Sequence, residues 1–426
     1  MRDWVDLLAD RRSAQPIPGE DESVAAAQVR VHGHEMVLVW CRFDVAAGTL
    51  SVAAGRRFVA ALDWAVTHRL PVVAIANSGG ARMQEGSRGF LQMVEATKAV
   101  RRLRDAGLWL AVYLAHPTTG GVFASWASLG HVTYAEPGAM IGFTGPRVAA
   151  ALGEPIEPAS TQSAEGLHAN GLVDAVVAVA DLRDRVAGLA ATFAEPAPGH
   201  DGTTPAEAVD GPRGWAAVEA SRQSGRLRLL DEVVLRSESV VELAGDRCGG
   251  PSPNVFIGWC RLGGRPVLVL AHRSGCRPGA ADLAAGRRAM LAAQELGTPV
   301  VSIIDTAGAA VSGQEEARGL AGEIARSIDA MAALTVPSVA VVAGEGTGGA
   351  AMAWLAADKV IAASDSWVAP IAPAAASLIV HRDTEHDSEL ADVQEVGAVE
   401  LRAQGIVDAV FEQADLVDAL VATLDD

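Results

Sequence analysis

The 426-residue sequence contains few cysteines, few aromatic side chains and little positive charge. Its four cysteines form no C-x-x-C pair, which argues against a zinc ribbon and indicates reduced thiols instead of a disulfide framework. The net charge of −18 leaves no excess of lysine and arginine for a phosphate backbone, so we expect no nucleic-acid partner. Signal-peptide character is missing, and no uncharged apolar run reaches about 18 residues. We therefore expect a cytoplasmic protein that does not enter a membrane.

Several catalytic signatures are missing as well. Neither G-x-x-x-x-G-K-[ST] nor G-x-G-x-x-G occurs, which argues against a phosphate-binding loop. There is no G-x-S-x-G elbow and no H-E-x-x-H motif, so triad and zinc catalysis lack support and we predict no metal site. The cluster at 381–386, HRDTEH, is compatible with a metal site or a polar loop, and we favour the polar loop.

What the sequence does contain is an internal repeat at a constant offset of 228 residues. The run VVAIANSGGA at 72–81 recurs as VVSIIDTAGA at 300–309, and TGGVFASW at 119–126 recurs as TGGAAMAW at 347–354. A third pair, GLVDAV and GIVDAV, follows in the same order at an offset of 234. The order and spacing predict two copies of one domain, so a site in one half should have a counterpart in the other.

The repeat and a Pro-, Gly- and Thr-rich segment suggest the domain limits. We predict a first domain over 1–195, a linker over 196–212 and a second domain over 213–426. Apolar runs predict strands at 36–43, 71–76, 109–114, 131–134 and 139–141, and again at 266–270, 299–304, 338–342 and 360–362. Helical periodicity is found at 52–68 and 89–106, and a further helix is expected from Val122. This alternation predicts an α/β fold of βαβ units.

The glycine loops are the candidate site, because each follows a buried strand. Glycine lets a backbone approach a ligand closely, and a helix start leaves N–H donors that can stabilise a negative oxygen. The alternative is that the glycines only permit tight turns. Predicted catalytic residues are Gly120, Gly121, Gly348 and Gly349; predicted substrate-binding residues are Ser78, Gly79, Gly80, Ala81, Arg82, Thr119, Gly308, Ala309 and Thr347. Trp126 and Trp354, matched across the repeat, are predicted to be core residues.

These motifs resemble a known family. SGGARMQEG at 78–86, PTTGGV at 117–122 and AEPGAMIGFTGPR at 135–147 are similar to the carboxyltransferase β subunit of bacterial acetyl-CoA carboxylase. DTAG at 305–308, EEARG at 315–319 and GEGTGGA at 344–350 are similar to its α subunit. One chain with a β-like and then an α-like half resembles the acyl-CoA carboxylase β chains of actinobacteria.

The resemblance implies two crotonase-like domains, built from ββα-spiral units, and a role in fatty acid biosynthesis. The family transfers a carboxyl group from carboxybiotin to the α-carbon of an acyl-CoA such as acetyl-CoA or propionyl-CoA. Both partners pass through an oxyanion, so Gly120 and Gly121 would face the thioester, and Gly348 and Gly349 the biotin carbonyl. A biotin carboxylase and biotin carrier protein would be the partners. The family's sites form between two protomers, which implies a homo-oligomer, a dimer or hexamer.

This chain also departs from the family pattern. It has Ala307 where the family usually has proline, and Pro373-Ala374-Ala375-Ala376 where the family has Pro-Glu-Gly-Ala. Two other functions are therefore kept open. One is a biotin-independent decarboxylase resembling malonate decarboxylase, and the other is a non-catalytic, acyl-CoA-binding assembly subunit. Within the signature loop, Arg82 and Glu85 are expected to stabilise the loop or to contact substrate, and Glu345 to be functional or structural.

Overall fold

The computed structural model describes residues 3–19, 22–194, 209–223 and 225–425. The chain divides into two compact units, the first of Met1–Ala191 with Arg247–Pro251 and the second of Thr192–Asp246 with Ser252–Asp426. Most of the predicted linker at 196–212 lies outside the described residues, so the predicted domain limits stay a proposal.

The first unit begins with a short helix and then builds one mixed sheet. Its strands are β1 Gln15–Pro16, β2 Val24–Val31, β3 His34–Cys41, β4 Val72–Ser78, β5 Leu110–Thr119, β6 Val132–Ala135, β7 Ile141–Gly142 and β8 Ala175–Val176. Its helices are α1 Trp4–Leu8, α2 Val52–His68, α3 Gly86–Phe90, α4 Gln92–Asp105, α5 Pro146–Ala151, α6 Ala164–Ala169 and α7 Val179–Thr192.

Among the described residues, the second unit repeats this order of strands and has three more helices than the first. Its strands are β9 Ser239–Glu242, β10 Val255–Leu262, β11 Arg265–His272, β12 Val300–Thr306, β13 Ser338–Thr347, β14 Lys359–Ala363, β15 Trp367–Ala369 and β16 Ala409–Phe411. Its helices are α8 Gly214–Ser221, α9 Leu229–Arg236, α10 Ala280–Leu296, α11 Gly313–Ala317, α12 Leu320–Ala332, α13 Gly348–Ala353, α14 Pro373–Val380, α15 Asp387–Val393, α16 Ala398–Ala403 and α17 Leu416–Asp425.

The two sheets have the same topology. Their orders are β1-β2-β3-β4-β5-β6-β8 and β9-β10-β11-β12-β13-β14-β16, with β7 against β5 and β15 against β13. In each sheet the first two pairings are antiparallel and those that follow are parallel. Because the carboxyl ends of parallel strands meet at one edge of a sheet, the loops after β4 and β5, and after β12 and β13, become neighbours.

Helix α2 shows how local sequence sets an element. Ser51 caps its first turn by accepting a hydrogen bond from the Ala54 N–H at 3.0 Å, and the helix ends where Arg69 adopts a left-handed conformation. These limits agree with the helix predicted at 52–68. Its buried face is built largely from alanine and glycine, which lets the helix pack closely on the sheet.

The helix predicted from Val122 was wrong. The chain instead forms two short 3₁₀ turns, Gly120–Val122 and Trp126–Ser128, separated at Ser125. The Ser125 hydroxyl donates to the Gly121 carbonyl at 2.6 Å and so competes for an oxygen that a regular helix would use. Only the second Thr-Gly-Gly opens an α-helix, the six-residue α13.

The core of the first unit lies between its sheet and helices α2 and α4. Trp126 is 1% exposed and its ring packs against Phe58 with the ring centroids 4.5 Å apart. Trp354 is fully buried in the second unit and stacks on His272 at 4.6 Å. The prediction that both tryptophans are core residues is confirmed.

One part of the first unit comes from far along the chain. The segment Arg247–Pro251 belongs to it, and the Arg247 guanidinium pairs with the carboxylate of Asp174, whose side chain is fully buried. Pairing lowers the cost of burying that carboxylate. Among the described residues, no helix is long and apolar enough to cross a membrane.

The burial of Trp126 predicts a large stability loss in Trp126→Ala, which leaves a cavity against Phe58. We expect the free energy of unfolding of the first unit to fall by about 3–5 kcal/mol in urea titrations followed by circular dichroism. The control Trp126→Phe keeps an aromatic ring and removes a buried indole N–H that has no acceptor in the described structure, so its loss should be clearly smaller. Equal losses in the two variants would contradict this packing.

Candidate active site

The first glycine loop of the first unit follows β4 directly. The Ser78 hydroxyl is fully buried, donates to the Gly48 carbonyl at 2.6 Å and accepts the Gly80 N–H at 3.0 Å. Gly80 has a φ of +102°, a conformation that side chains disfavour. Gly79 is exposed on the loop. The sequence Ser-Gly-Gly thus folds the chain into a tight turn at the end of a strand.

The second loop lies against the first. Gly120, after Thr119, has a φ of +68° and its N–H donates to the Phe143 carbonyl at 3.0 Å. A Cβ added to Gly80 would lie 3.2 Å from both the Gly120 Cα and the Gly121 nitrogen. The two loops therefore approach to van der Waals distance, which only glycine at both positions allows.

Two backbone donors remain at this contact. The Gly121 and Ala81 N–H groups donate no hydrogen bond to any residue that the structure describes, and both residues are half-buried. Ala81 directly follows Gly80, where an added Cβ would lie 3.2 Å from the Gly121 nitrogen. Unpaired N–H groups in such a setting can donate hydrogen bonds to an anionic oxygen.

The second unit repeats the geometry. Gly308 and Gly348 have φ values of +105° and +64°, each within 4° of its counterpart Gly80 or Gly120. The Gly308 N–H donates to the Thr306 hydroxyl at 3.2 Å, and a Cβ on Gly308 would lie 3.6 Å from the Thr347 carbonyl. The substitution of Ala307 for the family's proline leaves this loop folded in the same way.

The second unit also retains unpaired donors. Within the described part of the chain, the N–H groups of Ala309 and Gly349 have no hydrogen-bond acceptor. The pairing of Thr347 with Ala369 between β13 and β15 engages the Gly348 N–H, as the Gly120 N–H is engaged in the first unit. Because α13 has only six residues and the first unit has 3₁₀ turns there, the helix dipole adds little. The candidate donors are therefore individual amides, and the helix start expected in both halves is found only in the second.

Two charged residues of the signature loop, Arg82 and Glu85, bind neighbouring parts of the first unit. The Arg82 guanidinium pairs with Glu22 at 2.5 Å and donates to the Thr49 hydroxyl at 2.7 Å. Burial alone would raise the pKa of Glu22, but hydrogen bonds from Arg82 and Ser23 outweigh it and hold that pKa below its usual value. A substrate contact by Arg82 stays a prediction.

The glutamate of the same loop caps the long helix of its unit. Glu85 Oε2 accepts the Val52 N–H at 2.6 Å at the start of α2. In the second unit, Glu315 Oε2 accepts the Ala280 N–H at 2.7 Å at the start of α10. The repeat thus extends to the hydrogen bonds that tie each loop to a helix.

A cavity in each unit is lined by residues of the strand ends that precede the loops, such as Asn77 in the first unit and Asp305 in the second. The first has a volume of about 790 Å³ and its walls include Trp40, Arg42, Asn77 and His116. His116 Nδ1 accepts the Met140 N–H at 3.1 Å, so the ring is anchored by one nitrogen. The corresponding cavity of the second unit is only about 170 Å³. The wall residues were not predicted from the sequence, because no motif includes them all.

The altered α-like motif and the histidine cluster lie together in the second unit. Pro373 to Ala376 form the first turn of α14, with proline at its first position. Asp383 accepts hydrogen bonds from Ser377 Oγ at 2.9 Å and pairs with His386 at 2.8 Å. This partner raises the pKa of His386 above its ordinary value.

The cluster at 381–386 is a hydrogen-bonded polar loop in the structure. His381 stacks on His386 with the ring centroids 4.3 Å apart. No group of three or more candidate ligands for a metal ion occurs among the described residues. Glu345 is half-buried, 3.7 Å from Arg222, and accepts a hydrogen bond from Thr347 Oγ1 at 3.3 Å, so it supports the loop.

Comparison with known proteins gives a match along most of the sequence. The family model described as the carboxyl transferase domain matches residues 5–426. The probable biotin-dependent acyl-coenzyme A carboxylase beta3 subunit of Mycobacterium tuberculosis is 42% identical over 416 residues, covering 95% of this chain and 83% of that protein. The acetyl-coenzyme A carboxylase carboxyl transferase subunits beta/alpha of Saccharopolyspora erythraea are 35% identical over 436 residues, or 97% and 75% of the two chains.

Solved structures share the fold. The transcarboxylase 12S hexamer with methylmalonyl-coenzyme A bound superposes with a TM-score of 0.82 at 20% identity, covering 99% of this chain and 88% of that one. A single-chain, multi-domain long-chain acyl-CoA carboxylase superposes with a TM-score of 0.76 at 19% identity, covering 99% and 45%. The predicted α/β fold of two crotonase-like domains is confirmed.

The contact between the loops predicts that Gly80→Ala is destabilising beyond backbone strain. Its methyl group would press on the Gly120 Cα and the Gly121 nitrogen. The control Gly138→Ala has a similarly positive φ of +67° but no atom within 4 Å of the new Cβ, so it reports strain alone, about 1 kcal/mol. Urea unfolding should show a larger loss for Gly80→Ala. A loss no greater than that of Gly138→Ala would disprove the contact.

Proposed function

The chain belongs to the carboxyl transferase domain family and is a carboxyltransferase of the biotin-dependent acyl-CoA carboxylase type, and from this premise we propose how its glycine loops perform the transfer. The observation that carries the proposal is the set of unpaired amides at each contact between loops. A reaction that develops negative charge on two carbonyl oxygens needs donors at two places, and the duplicated chain has both.

The first unit is proposed to bind the acyl-CoA. In this proposal the Gly121 and Ala81 N–H groups donate to the thioester oxygen, which becomes negative when the α-proton leaves. Gly120 contributes by its conformation, because its own N–H is held by the Phe143 carbonyl. The 790 Å³ cavity of this unit supplies space for part of the substrate. Ser78, Gly79, Gly80 and Thr119 shape this turn, and Arg82 braces it.

The second unit is proposed to receive biotin. Carboxybiotin supplies the carboxyl group, and its ureido carbonyl is the oxygen that the second set of donors would hold. The Gly349 and Ala309 N–H groups fit that acceptor because they are unpaired in the described structure, and Gly348 contributes by its conformation. Gly308 and Thr347 keep the loops together. The second unit keeps these donors although Glu and Gly of the family's Pro-Glu-Gly-Ala motif are replaced by Ala374 and Ala375.

The source of the carboxybiotin is a further part of the proposal. The sequence contains no Met-Lys-Met biotin-acceptor motif. We therefore propose that a biotin carrier protein, loaded by a biotin carboxylase, delivers the carboxyl group. A cytoplasmic location stays a prediction from the sequence.

We also propose a homo-oligomer, in which exposed apolar residues at matched positions of the two units are covered by a second copy. Met83, Phe143 and Leu152 are 81%, 66% and 72% exposed. Their counterparts at an offset of 228 residues, Val311, Ile371 and Val380, are 86%, 36% and 59% exposed. Two matched apolar surfaces of this kind mark an interaction site. The related transcarboxylase 12S is a hexamer.

The catalytic proposal predicts that the protein decarboxylates malonyl-CoA or methylmalonyl-CoA and that free biotin stimulates the reaction. In Gly121→Val the added side chain meets Met93, 3.1 Å from the new Cβ, and displaces the donor, so kcat should fall about 100-fold. Gly145→Val, where nothing lies within 4 Å, is the control and should stay active. Turnover that ignores biotin would favour the decarboxylase alternative. Acyl-CoA binding without turnover would favour the assembly subunit.

The oligomer proposal is tested by light scattering after size-exclusion chromatography. We expect the wild type to have the mass of a dimer or hexamer, and Leu152→Asp with Val380→Asp to shift it toward the monomer, because a buried charge opposes association. The control Leu235→Asp changes a residue that is 78% exposed on α9 and should keep the assembly. A monomeric wild type would contradict the proposal.

A further inference from the structure

A buried ion pair lies just before the loops of the second unit. Arg226, between α8 and α9, pairs with Asp305 at 2.8 Å from Nη2 to Oδ2, and the two side chains are only 13% and 17% exposed. The other terminal nitrogen of the guanidinium donates to the Ala343 carbonyl. Such a pair is costly to break on one side, because the remaining charge stays buried.

The pair connects the ends of two neighbouring strands. Asp305 lies near the end of β12 and its Oδ1 accepts the Glu345 N–H of β13 at 3.2 Å. Arg226 reaches β13 at Ala343, and Gly344 between these positions has no space for a side chain, since an added Cβ would collide with Arg226 and Asp305. Three consecutive residues of β13 are thereby held against β12.

The first unit joins its strand ends in another way. Asn77 and His116 are the counterparts of Asp305 and Gly344 at the offset of 228 residues. Asn77 Nδ2 donates directly to the His116 carbonyl, with no third residue between the two strands. A neutral side-chain amide thus connects the two strand ends in the first unit, whereas an aspartate and an arginine connect them in the second.

The pair of Arg226 and Asp305 lies directly before the two glycine loops of the second unit. Asp305 is followed at once by the turn Thr306 to Gly308, and Glu345 is followed within two residues by Thr347. A shift between the ends of β12 and β13 would move the Ala309 and Gly349 amides relative to each other. A misplacement of about 1 Å can cost about 100-fold in rate.

We infer that Arg226 is a positioning residue that, through Asp305, sets the spacing of the second pair of glycine loops. This inference rests on the proposed function only for its effect on turnover. The connection that Arg226 and Asp305 make between the ends of β12 and β13 can be measured without an activity assay.

The test is a double-mutant cycle of Arg226→Met and Asp305→Asn in the full chain. Each single variant leaves one buried charge without its partner, so biotin-stimulated malonyl-CoA decarboxylation should fall about 10- to 100-fold. The double variant removes both charges and leaves an asparagine like Asn77, so activity should return to within about threefold of the wild type. Acyl-CoA affinity, measured by calorimetry, should stay unchanged in all three.

Hydrogen exchange provides the readout that does not need activity. Amides at 305–309 and 347–350 should exchange faster in each single variant and return toward wild-type rates in the double variant. The control Arg236→Met removes an ion pair with Asp418 elsewhere in the same unit and should change neither loop. Arg226→Lys keeps the charge and serves if Arg226→Met does not fold.

Two results would overturn the inference. One is a double variant whose loops exchange as fast as those of the worse single variant. The other is an equal loss of acyl-CoA affinity and of biotin response, which would indicate general damage. An inactive wild type would refute the proposed function instead, and hydrogen exchange would still decide the role of Arg226.

Discussion

The close approach of two glycine turns at the ends of parallel strands is the constraint on which the structure depends. Gly80 and Gly120 meet at a distance that leaves no room for a Cβ, and both have positive φ values. Their approach leaves the next amides, those of Ala81 and Gly121, without an acceptor. The parallel sheet places the loops together, buried Ser78 holds the turn, and Arg82 and Glu85 tie it to neighbouring elements. The same few residues thus stabilise the loops and provide the proposed hydrogen-bond donors.

Duplication preserves the backbone of the site while its side chains differ. The glycine φ values agree within 4° between the two units. The strand ends are joined by Asn77 in one unit and by Asp305 with Arg226 in the other. The cavities differ more, at about 790 and 170 Å³. Two units with similar donors and unequal cavities suit a reaction between two carbonyl compounds of different size.

Much of this was predictable, because the repeat and the periodicity are local signals. The limits of α2 follow from helical periodicity, the parallel strands from the alternation of strands and helices, and the burial of Trp126 and Trp354 from their match across the repeat. The helix expected from Val122 failed because the Ser125 hydroxyl competes for a backbone carbonyl. Arg226 and the segment Arg247–Pro251 were missed, because each acts on residues more than about 70 positions away and no pattern along the chain encodes such contacts.

We propose that backbone N–H groups, and not side-chain acids or bases, donate hydrogen bonds to the reacting oxygens. The most direct measurement is a crystal structure with an acyl-CoA bound. We predict that the thioester oxygen lies about 3 Å from the Gly121 and Ala81 nitrogens. A thioester bound elsewhere, or one held by side chains with both amides unoccupied, would contradict it.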